Sequence, residues 1–130
     1  MSKSKLSLSV LPETLAVCRL EKDAQIPSWA TNNPVFFSIT RTRDELSIVC
    51  DQSVVPEDIQ NVEKNWRALK VEGPLDFSLT GILASLAQPL AEAEISIFAI
   101  STFDTDYVLT KSENLEATVK VLGEFCTINS

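Results

Sequence analysis

Apolar positions follow two different spacings within residues 80–111. They first recur at helical spacing, at Ile82, Leu83, Leu86 and Leu90. After Glu94 apolar and polar positions alternate, and β-branched and aromatic residues are frequent, which favours a strand over 95–102. Asp104 and Thr105 supply turn residues, and 107–110 returns as a second strand. The stretch predicts a helix followed by a β-hairpin.

Shorter segments with the same two patterns fill the rest of the chain. Strands are predicted near 6–10, 15–21, 36–41, 45–50 and 66–72. The polar segment 22–34 carries two prolines and has room for at most a turn or two of helix. A short helix is expected to start over 55–59, and a longer one over 112–122 that ends at Gly123. Residues 125–128 are expected to form a last short strand.

The two halves of the chain repeat one another. With Phe37 placed on Phe98, an offset of 61 residues, F-S-I-T falls on F-A-I-S, and a turn and an apolar strand follow in each. Each hairpin also follows a strand that ends in an apolar residue and Glu. The spacer from that Glu to the Phe has 15 residues in the first copy and 25 in the second. The spacing therefore predicts two βαββ-type units, of which only the second has room for a full helix.

Charge and hydropathy exclude several classes of partner. The 130 residues carry a formal charge of −7 without clustered Lys or Arg, which argues against nucleic acid and anionic membranes as partners. The hydrophobic content of 45% is enough for a folded core. No apolar run reaches the roughly 18 residues of a membrane helix. The first ten residues also lack a signal-peptide core, so a cytoplasmic protein is expected.

The chain contains no histidine, and this removes Ser-His-Asp and Cys-His catalysis and the commonest zinc sites. Cys18, Cys50 and Cys126 form no C-x-x-C pair, and their odd number fits reduced, buried thiols. Acids and one Tyr are the groups left for proton transfer. We therefore expect no catalytic residue, no metal site and no cofactor, and a protein that is not an enzyme.

The C-terminal half resembles a known family. T-G-I-L-A-S-L-A followed by A-E-I-S-I-F-A-I-S-T-F-D-T-D-Y-V-L is similar to the ACT domain, a small ligand-binding regulatory module, and W-R-A-L-K-V-E-G-P-L extends the likeness. The resemblance is to the tandem-ACT branch that includes the cytosolic arginine sensors called CASTOR. The chain departs from the expected pattern at Glu94, where relatives tend to carry Gly between helix and strand.

The resemblance implies an α+β fold of two ferredoxin-like βαββαβ units in tandem, over 1–65 and 66–130. Their antiparallel sheets would carry helices on one face, with a shortened helix in the first unit. It also implies a non-catalytic module that binds a small molecule, probably an amino acid, and acts through an inter-unit or dimer interface. The alternative is a structural or protein-interaction module that no longer binds a ligand. A homodimer is expected, because pairing covers exposed strand edges and an open sheet face.

Two residues suggest where a ligand binds. Gly81 lies at the start of the predicted helix, for which Ser78 or Thr80 is the predicted cap, and either ligand approach or tight helix-to-sheet packing would explain a glycine there. The resemblance places Asp106 near the ligand pocket, although a purely structural role in the turn is also open. The predicted ligand-binding residues are Thr80, Gly81, Ile82, Ile97, Phe98, Thr105 and Asp106.

Overall fold

The computed structural model describes residues 6–32, 36–72 and 81–129. Its α-helices are α1 (Ile82–Glu92) and α2 (Leu115–Leu122). Its strands are β1 (Ser7–Val10), β2 (Leu15–Leu20), β3 (Ser38–Arg41), β4 (Leu46–Asp51), β5 (Val62–Val71), β6 (Ile97–Ser101), β7 (Asp106–Lys111) and β8 (Thr127–Asn129). Short 3₁₀ helices lie at Ser28–Thr31, Gln52–Val54 and Ser112–Asn114. The α+β fold class is confirmed.

The chain divides into two compact units, and β5 runs from one into the other. The small unit is Glu13–Trp66, and the large unit is Met1–Pro12 together with Arg67–Ser130. The division expected from the sequence, 1–65 and 66–130, has its boundary within one residue of the observed boundary at Trp66. It differs in assigning residues 6–12 to the first unit. In the structure those residues belong with the large unit, because β1 pairs antiparallel with β5 and parallel with β8.

The small unit is a set of antiparallel strands with little helix. Strand β4 lies between β3 and β2, and β2 pairs in turn with the first half of β5. Within the described residues between β2 and β3 there is only the 3₁₀ helix Ser28–Thr31, which confirms the shortened helix. One face of the strands forms a core cluster of six buried residues: Ala16, Cys18, Ala30, Leu46, Ile48 and Cys50.

The large unit carries both α-helices. Strand β7 pairs with β6 and β5, β5 with β1, and β1 with β8. Helices α1 and α2 contribute to one core cluster with the strands, because both place apolar side chains at helical spacing toward it. Its buried members are Leu8, Leu69, Val71, Leu86, Leu90, Ile95, Val108, Leu122 and Cys126. Of the stripe predicted for α1, Leu86 and Leu90 are therefore in the core and Leu83 packs against it, whereas Ile82 is not part of the cluster.

The hairpins β3–β4 and β6–β7, called the first and second hairpin below, correspond at an offset of 60 residues rather than 61. Ser38 pairs with Val49 in the first, and Phe98 pairs with Leu109 in the second. The offset of 61 was wrong because it relied on matching Phe37 to Phe98. A slip of one residue exchanges the two faces of a strand. At an offset of 60 the three buried residues of β7 fall on three of the four buried residues of β4.

Helix ends and strand starts differ from expectation in three places. No helix begins at 55–59. The helical turn lies just before this segment, as the 3₁₀ helix Gln52–Val54, and the Asp51 side chain caps it by accepting the Ser53 N–H. Strand β5 begins at Val62, four residues before the predicted start, and bends at Asn65, which has φ 68°. Helix α2 begins after Ser112–Asn114, with Asn114 as its N-cap residue and no side-chain cap.

Candidate functional site

Gly81 is the N-cap residue of α1, in the left-handed conformation with φ 79° and ψ 1°. This conformation explains the glycine, because a side chain there costs roughly 1–2 kcal/mol. A Cβ built at Gly81 would meet no atom of the described residues within 4 Å, which argues against tight helix-to-sheet packing as the reason for the glycine. Ser78 and Thr80, the expected caps, lie outside the described residues.

The start of α1 has backbone donors that the helix itself does not use. The first intrahelical bond is donated by the Ser85 N–H to the Gly81 carbonyl oxygen, at 2.8 Å. The N–H groups of the preceding turn, that of Ile82 among them, therefore have no partner within the helix. Such groups, together with the helix dipole, favour an anion such as a carboxylate. Ile82 itself is half-buried.

Asp106 is the first residue of β7 and pairs with Ser101 across the second hairpin. Its side chain is half-buried, and within the described residues its carboxylate makes no hydrogen bond or ion pair. Asp104, two residues earlier, is exposed. A half-buried carboxylate without a protein partner suits a cationic ligand group, since a charged hydrogen bond is worth about 1.5–3 kcal/mol.

The turn before Asp106 is held by threonines, which the sequence reasoning did not assign. The Thr102 hydroxyl accepts the Thr105 N–H at 3.3 Å and donates to the Thr105 carbonyl at 3.0 Å. The Thr42 hydroxyl has the same role in the first hairpin, where it accepts hydrogen bonds from the N–H groups of Asp44 and Glu45. A threonine at the same step of both turns was the sequence signal that could have identified this role.

Thr105, predicted to contact a ligand, is committed to the protein. Its side chain is buried, with 4% exposed, and its hydroxyl donates to the Val71 carbonyl at 2.5 Å. The bond joins the turn of the second hairpin to the end of β5. Thr105 therefore positions the turn and its neighbour Asp106, and its hydroxyl hydrogen is not available to a ligand.

Ile97 and Phe98 lie at the opposite end of the second hairpin from Asp106. Ile97 pairs with Thr110 and packs against the core cluster of the large unit, and Phe98 is half-buried. From Ile97 to Ser101 the strand rises about 13 Å. The Ile95 N–H donates to the Leu90 carbonyl at 2.9 Å, which keeps the start of β6 beside the end of α1. The structure thus separates Ile97 and Phe98 from Thr105 and Asp106.

The small unit contains a shallow groove of about 230 Å³ on the open side of β2. Arg19, Glu45, Asn61 and Glu63 are among its lining residues. The Arg19 guanidinium is already engaged, because it donates to the Asp44 carbonyl at 3.0 Å. No residue of the predicted site lines this groove.

The cysteines are free and buried, as predicted. The neighbouring Cys18 thiol together with burial raises the pKa of the Cys50 thiol. Burial also raises the pKa of the Cys126 thiol.

Across the described ranges no group of three or more His, Cys, Asp and Glu side chains is arranged to hold a metal ion. No helix in those ranges is long and apolar enough to cross a membrane.

Comparison with known proteins identifies the family. A family model described as an ACT domain matches residues 61–124, and a second model, of an N-terminal domain, matches residues 13–58. The "Cytosolic arginine sensor for mTORC1 subunit 1" of Pongo abelii is 33% identical over 111 residues, and that of Homo sapiens is 33% identical over 108. The chain belongs to the ACT-domain family, in the branch of these arginine sensors. The two matches cover 80% and 78% of this chain but only 34% and 33% of the relatives, so it spans about a third of their length.

Solved structures support the same ACT-type fold. A protein from Agobacterium tumefaciens is 38% identical and superposes with a TM-score of 0.87, covering 97% of this chain and 95% of that one. Aspartokinase III from E. coli, solved with aspartate and ADP, has a TM-score of 0.61 at 13% identity. That match covers 92% of this chain and 32% of the aspartokinase, and it shows the fold alone.

Proposed function

We propose that this ACT-domain chain is a non-catalytic regulatory module that binds a free amino acid and reports its presence through an inter-unit or dimer interface. The observation that carries the proposal is the Asp106 carboxylate, half-buried and without a partner among the described residues. In the first hairpin the corresponding position is Leu46, which is fully buried in the core. The hairpin itself does not need a carboxylate there, so Asp106 is available for binding.

The ligand is placed at the end of the large unit where the turn of the second hairpin meets the end of β5. Helix α1 is about 16 Å long and ends beside the start of β6, while β6 runs back over about 13 Å. The N-terminus of α1 is therefore expected at the same end as Asp106. The N–H groups that the helix leaves unused would donate hydrogen bonds to the carboxylate of an amino acid, and Asp106 would accept hydrogen bonds from its cationic group. No atom of the described residues lies within 4 Å of a Cβ built at Gly81, which leaves room for the approach on that side.

This arrangement narrows the predicted site. Gly81, Ile82 and Asp106 are proposed as contacts, and Thr80 stays a prediction because it lies outside the described residues. Thr105 is proposed to hold Asp106 in place through its bond to Val71. Ile97 and Phe98, at the other end of the hairpin, are proposed to shape the core beneath α1 and not to touch the ligand.

Regulation would follow from linkage. A ligand that binds one arrangement of the protein more tightly shifts the population toward it by no more than its difference in affinity. A homodimer and a cytoplasmic location, both expected from the sequence, fit such a module and belong to this proposal. The relatives' printed name describes a cytosolic arginine sensor. Arginine is accordingly the first amino acid to test here.

The experiment is a thermal-shift screen with the twenty amino acids, followed by calorimetry with any that raises the melting temperature. Binding to the native state alone stabilises it by RT ln(1 + [L]/Kd). Asp106→Ala is expected to weaken binding about ten- to a hundredfold. Asp104→Ala is the matched control, since Asp104 is an exposed acid of the same turn, and its affinity should equal that of the wild type.

A second pair of variants tests the helix end. Gly81→Val should abolish binding by filling the open space, whereas Gly81→Asn keeps a residue that tolerates the left-handed conformation and adds less bulk at Cβ. Equal affinity in Asp106→Ala, Gly81→Val and the wild type would move the site elsewhere. A flat screen across all twenty amino acids would favour the structural or protein-interaction module instead.

A further inference from the structure

Strand β1 is held in a slot between β5 and β8 that belongs wholly to the large unit. On one side Leu8, Ser9 and Val10 pair antiparallel with Val71, Lys70 and Leu69. On the other side Ser7, Leu8 and Ser9 pair parallel with Thr127, Ile128 and Asn129. Three further backbone bonds of 2.8–3.1 Å extend the ladders: Leu11 to Ala68, Glu72 to Ser7, and Thr127 to Leu6.

The slot is also part of the core. Leu8 is fully buried in the cluster that contains Leu69, Val71 and Cys126. Without β1 this cluster would lose a central side chain, and both β5 and β8 would present unpaired N–H and C=O groups. Unpaired strand edges of this kind bind an added strand. The slot therefore requires an extended segment with an apolar residue at the position of Leu8.

The covalent connection of β1 to the rest of its own unit is indirect. The chain passes from β1 into the small unit after Pro12 and returns to the large unit only at Arg67. The Arg67 guanidinium donates to the Leu11 carbonyl at 3.0 Å, a contact between residues 56 positions apart. Leu11 still belongs to the ladder with β5 and the Thr14 carbonyl accepts the Gln52 N–H at 2.9 Å, so the linker that can change conformation is the exposed Pro12 with Glu13.

We propose that β1 is an exchangeable strand, so that β1 of one copy occupies the slot of a second copy and the two copies form a strand-exchanged dimer. The exchanged β1 would make the same ladder bonds and the same core contact, and only the short linker would change conformation. Exchange of an identical element costs few contacts, and short hinge segments favour it. The proposal does not depend on ligand binding.

The test uses the full chain with cysteines at a directly opposed pair, Ser9→Cys with Lys70→Cys. Opposed residues of antiparallel strands have Cα atoms about 4.5–5.5 Å apart, within the range of a disulfide. The three native thiols are buried and interfere little. After mild oxidation, a closed monomer links these positions within one chain, and an exchanged dimer links them between two chains. Ser9→Cys and Lys70→Cys alone are the matched controls.

The expected result is a linked species of twice the 14.3 kDa chain mass on a denaturing, non-reducing gel, and a dimer by light scattering. A monomer at all concentrations would overturn the proposal, as would a dimer whose disulfides all lie within single chains. A second variant inserts four Gly and Ser residues between Pro12 and Glu13. It should favour closure within one chain and weaken the dimer at least tenfold, and an unchanged dimer would also overturn the proposal.

Discussion

The first and second hairpins share a backbone plan and differ in one position that matters for binding. Both place a threonine at the first step of the turn, Thr42 and Thr102, and both lead into a 3₁₀ helix. Their strands pair in equivalent registers at an offset of 60 residues. Where the first hairpin has the buried Leu46, the second has the half-buried Asp106.

The comparison separates what builds a hairpin from what a site needs. The threonine and a run of three consecutive buried residues in the second strand occur in both copies, so they account for the shared backbone. The carboxylate occurs in one copy only and contributes no hydrogen bond to the fold within the described residues. A residue that the fold does not require is the better candidate for ligand contact.

The largest effect is expected from placing the second hairpin's carboxylate in the first. Leu46→Asp would put a charge into a core cluster where no cation lies among its members, and should destabilise the protein by about 3–5 kcal/mol or more. Denaturant unfolding followed by circular dichroism measures the change. The reciprocal control, Asp106→Leu, should alter stability by less than about 1 kcal/mol while removing ligand binding. Similar losses from both variants would mean that Asp106 is structural.

The first hairpin has no threonine at the position of Thr105, because Glu45 is the corresponding residue. Thr105→Val removes the hydroxyl that pairs with the Val71 carbonyl and should cost about 1–3 kcal/mol, because a buried acceptor is left unpaired. Thr105→Ser keeps the hydroxyl and should cost clearly less, and Glu45→Ala should cost under about 0.5 kcal/mol. Thermal unfolding measures the stability of the three variants. A Thr105→Val protein as stable as Thr105→Ser would show that the bond to Val71 does not hold the turn.

Much of the fold was predictable because it depends on patterns that are local in sequence. The strand alternation at 95–102, the helical stripe at Leu86 and Leu90 and the short spacer at 22–34 each predicted the right element. The register of the repeat was missed by one residue, because matching two phenylalanines ignored the turn. The pairing of β1 with the large unit was not predictable from local patterns, since it joins residues more than 50 positions apart.

The candidate site was predictable only in part. The resemblance singled out Asp106, whose contact with a ligand stays a prediction, but its separation from Ile97 and Phe98 follows from the hairpin register and the direction of α1. The role of Thr105 depends on a bond to Val71, 34 residues away, which no sequence spacing reveals. Gly81 was predicted from its place at the helix start, whereas its left-handed backbone, which also favours glycine, follows only from the structure.

A full helix, α1, precedes the second hairpin, whereas the described residues before the first hairpin contain only a 3₁₀ helix. Helix α1 is followed by a residue with a strained backbone. Glu94 has φ 61°, and its N–H and that of Ile95 donate to Ala91 and Leu90, as in a Schellman motif. Glycine suits this position, so Glu94→Gly should raise stability by about 1 kcal/mol. Glu94→Ala keeps the Cβ and serves as the control. Chemical denaturation that ranks Glu94→Gly at or below Glu94→Ala would contradict the prediction.

The smallest effect concerns the thiols, which also differ between the units. In the small unit the neighbouring Cys18 thiol and burial both raise the pKa of Cys50, whereas the pKa of Cys126 in the large unit is raised by burial alone. Below the ordinary thiol pKa of about 8.5 the folded and unfolded states both keep the Cys126 proton. As the pH rises past that value the unfolded chain loses the proton first, so stability falls until the pH reaches the raised folded pKa.

Cys126→Ala removes this dependence along with some core volume. The cost of the lost volume is constant with pH, whereas the thiol contribution is not, so the stability advantage of the wild type over Cys126→Ala should shrink by about 0.5 kcal/mol between pH 7 and pH 9. Urea unfolding of both proteins at the two pH values measures the difference. An advantage that stays constant would mean that the Cys126 thiol ionises as readily in the folded protein as in the unfolded chain, and that its burial does not control its proton.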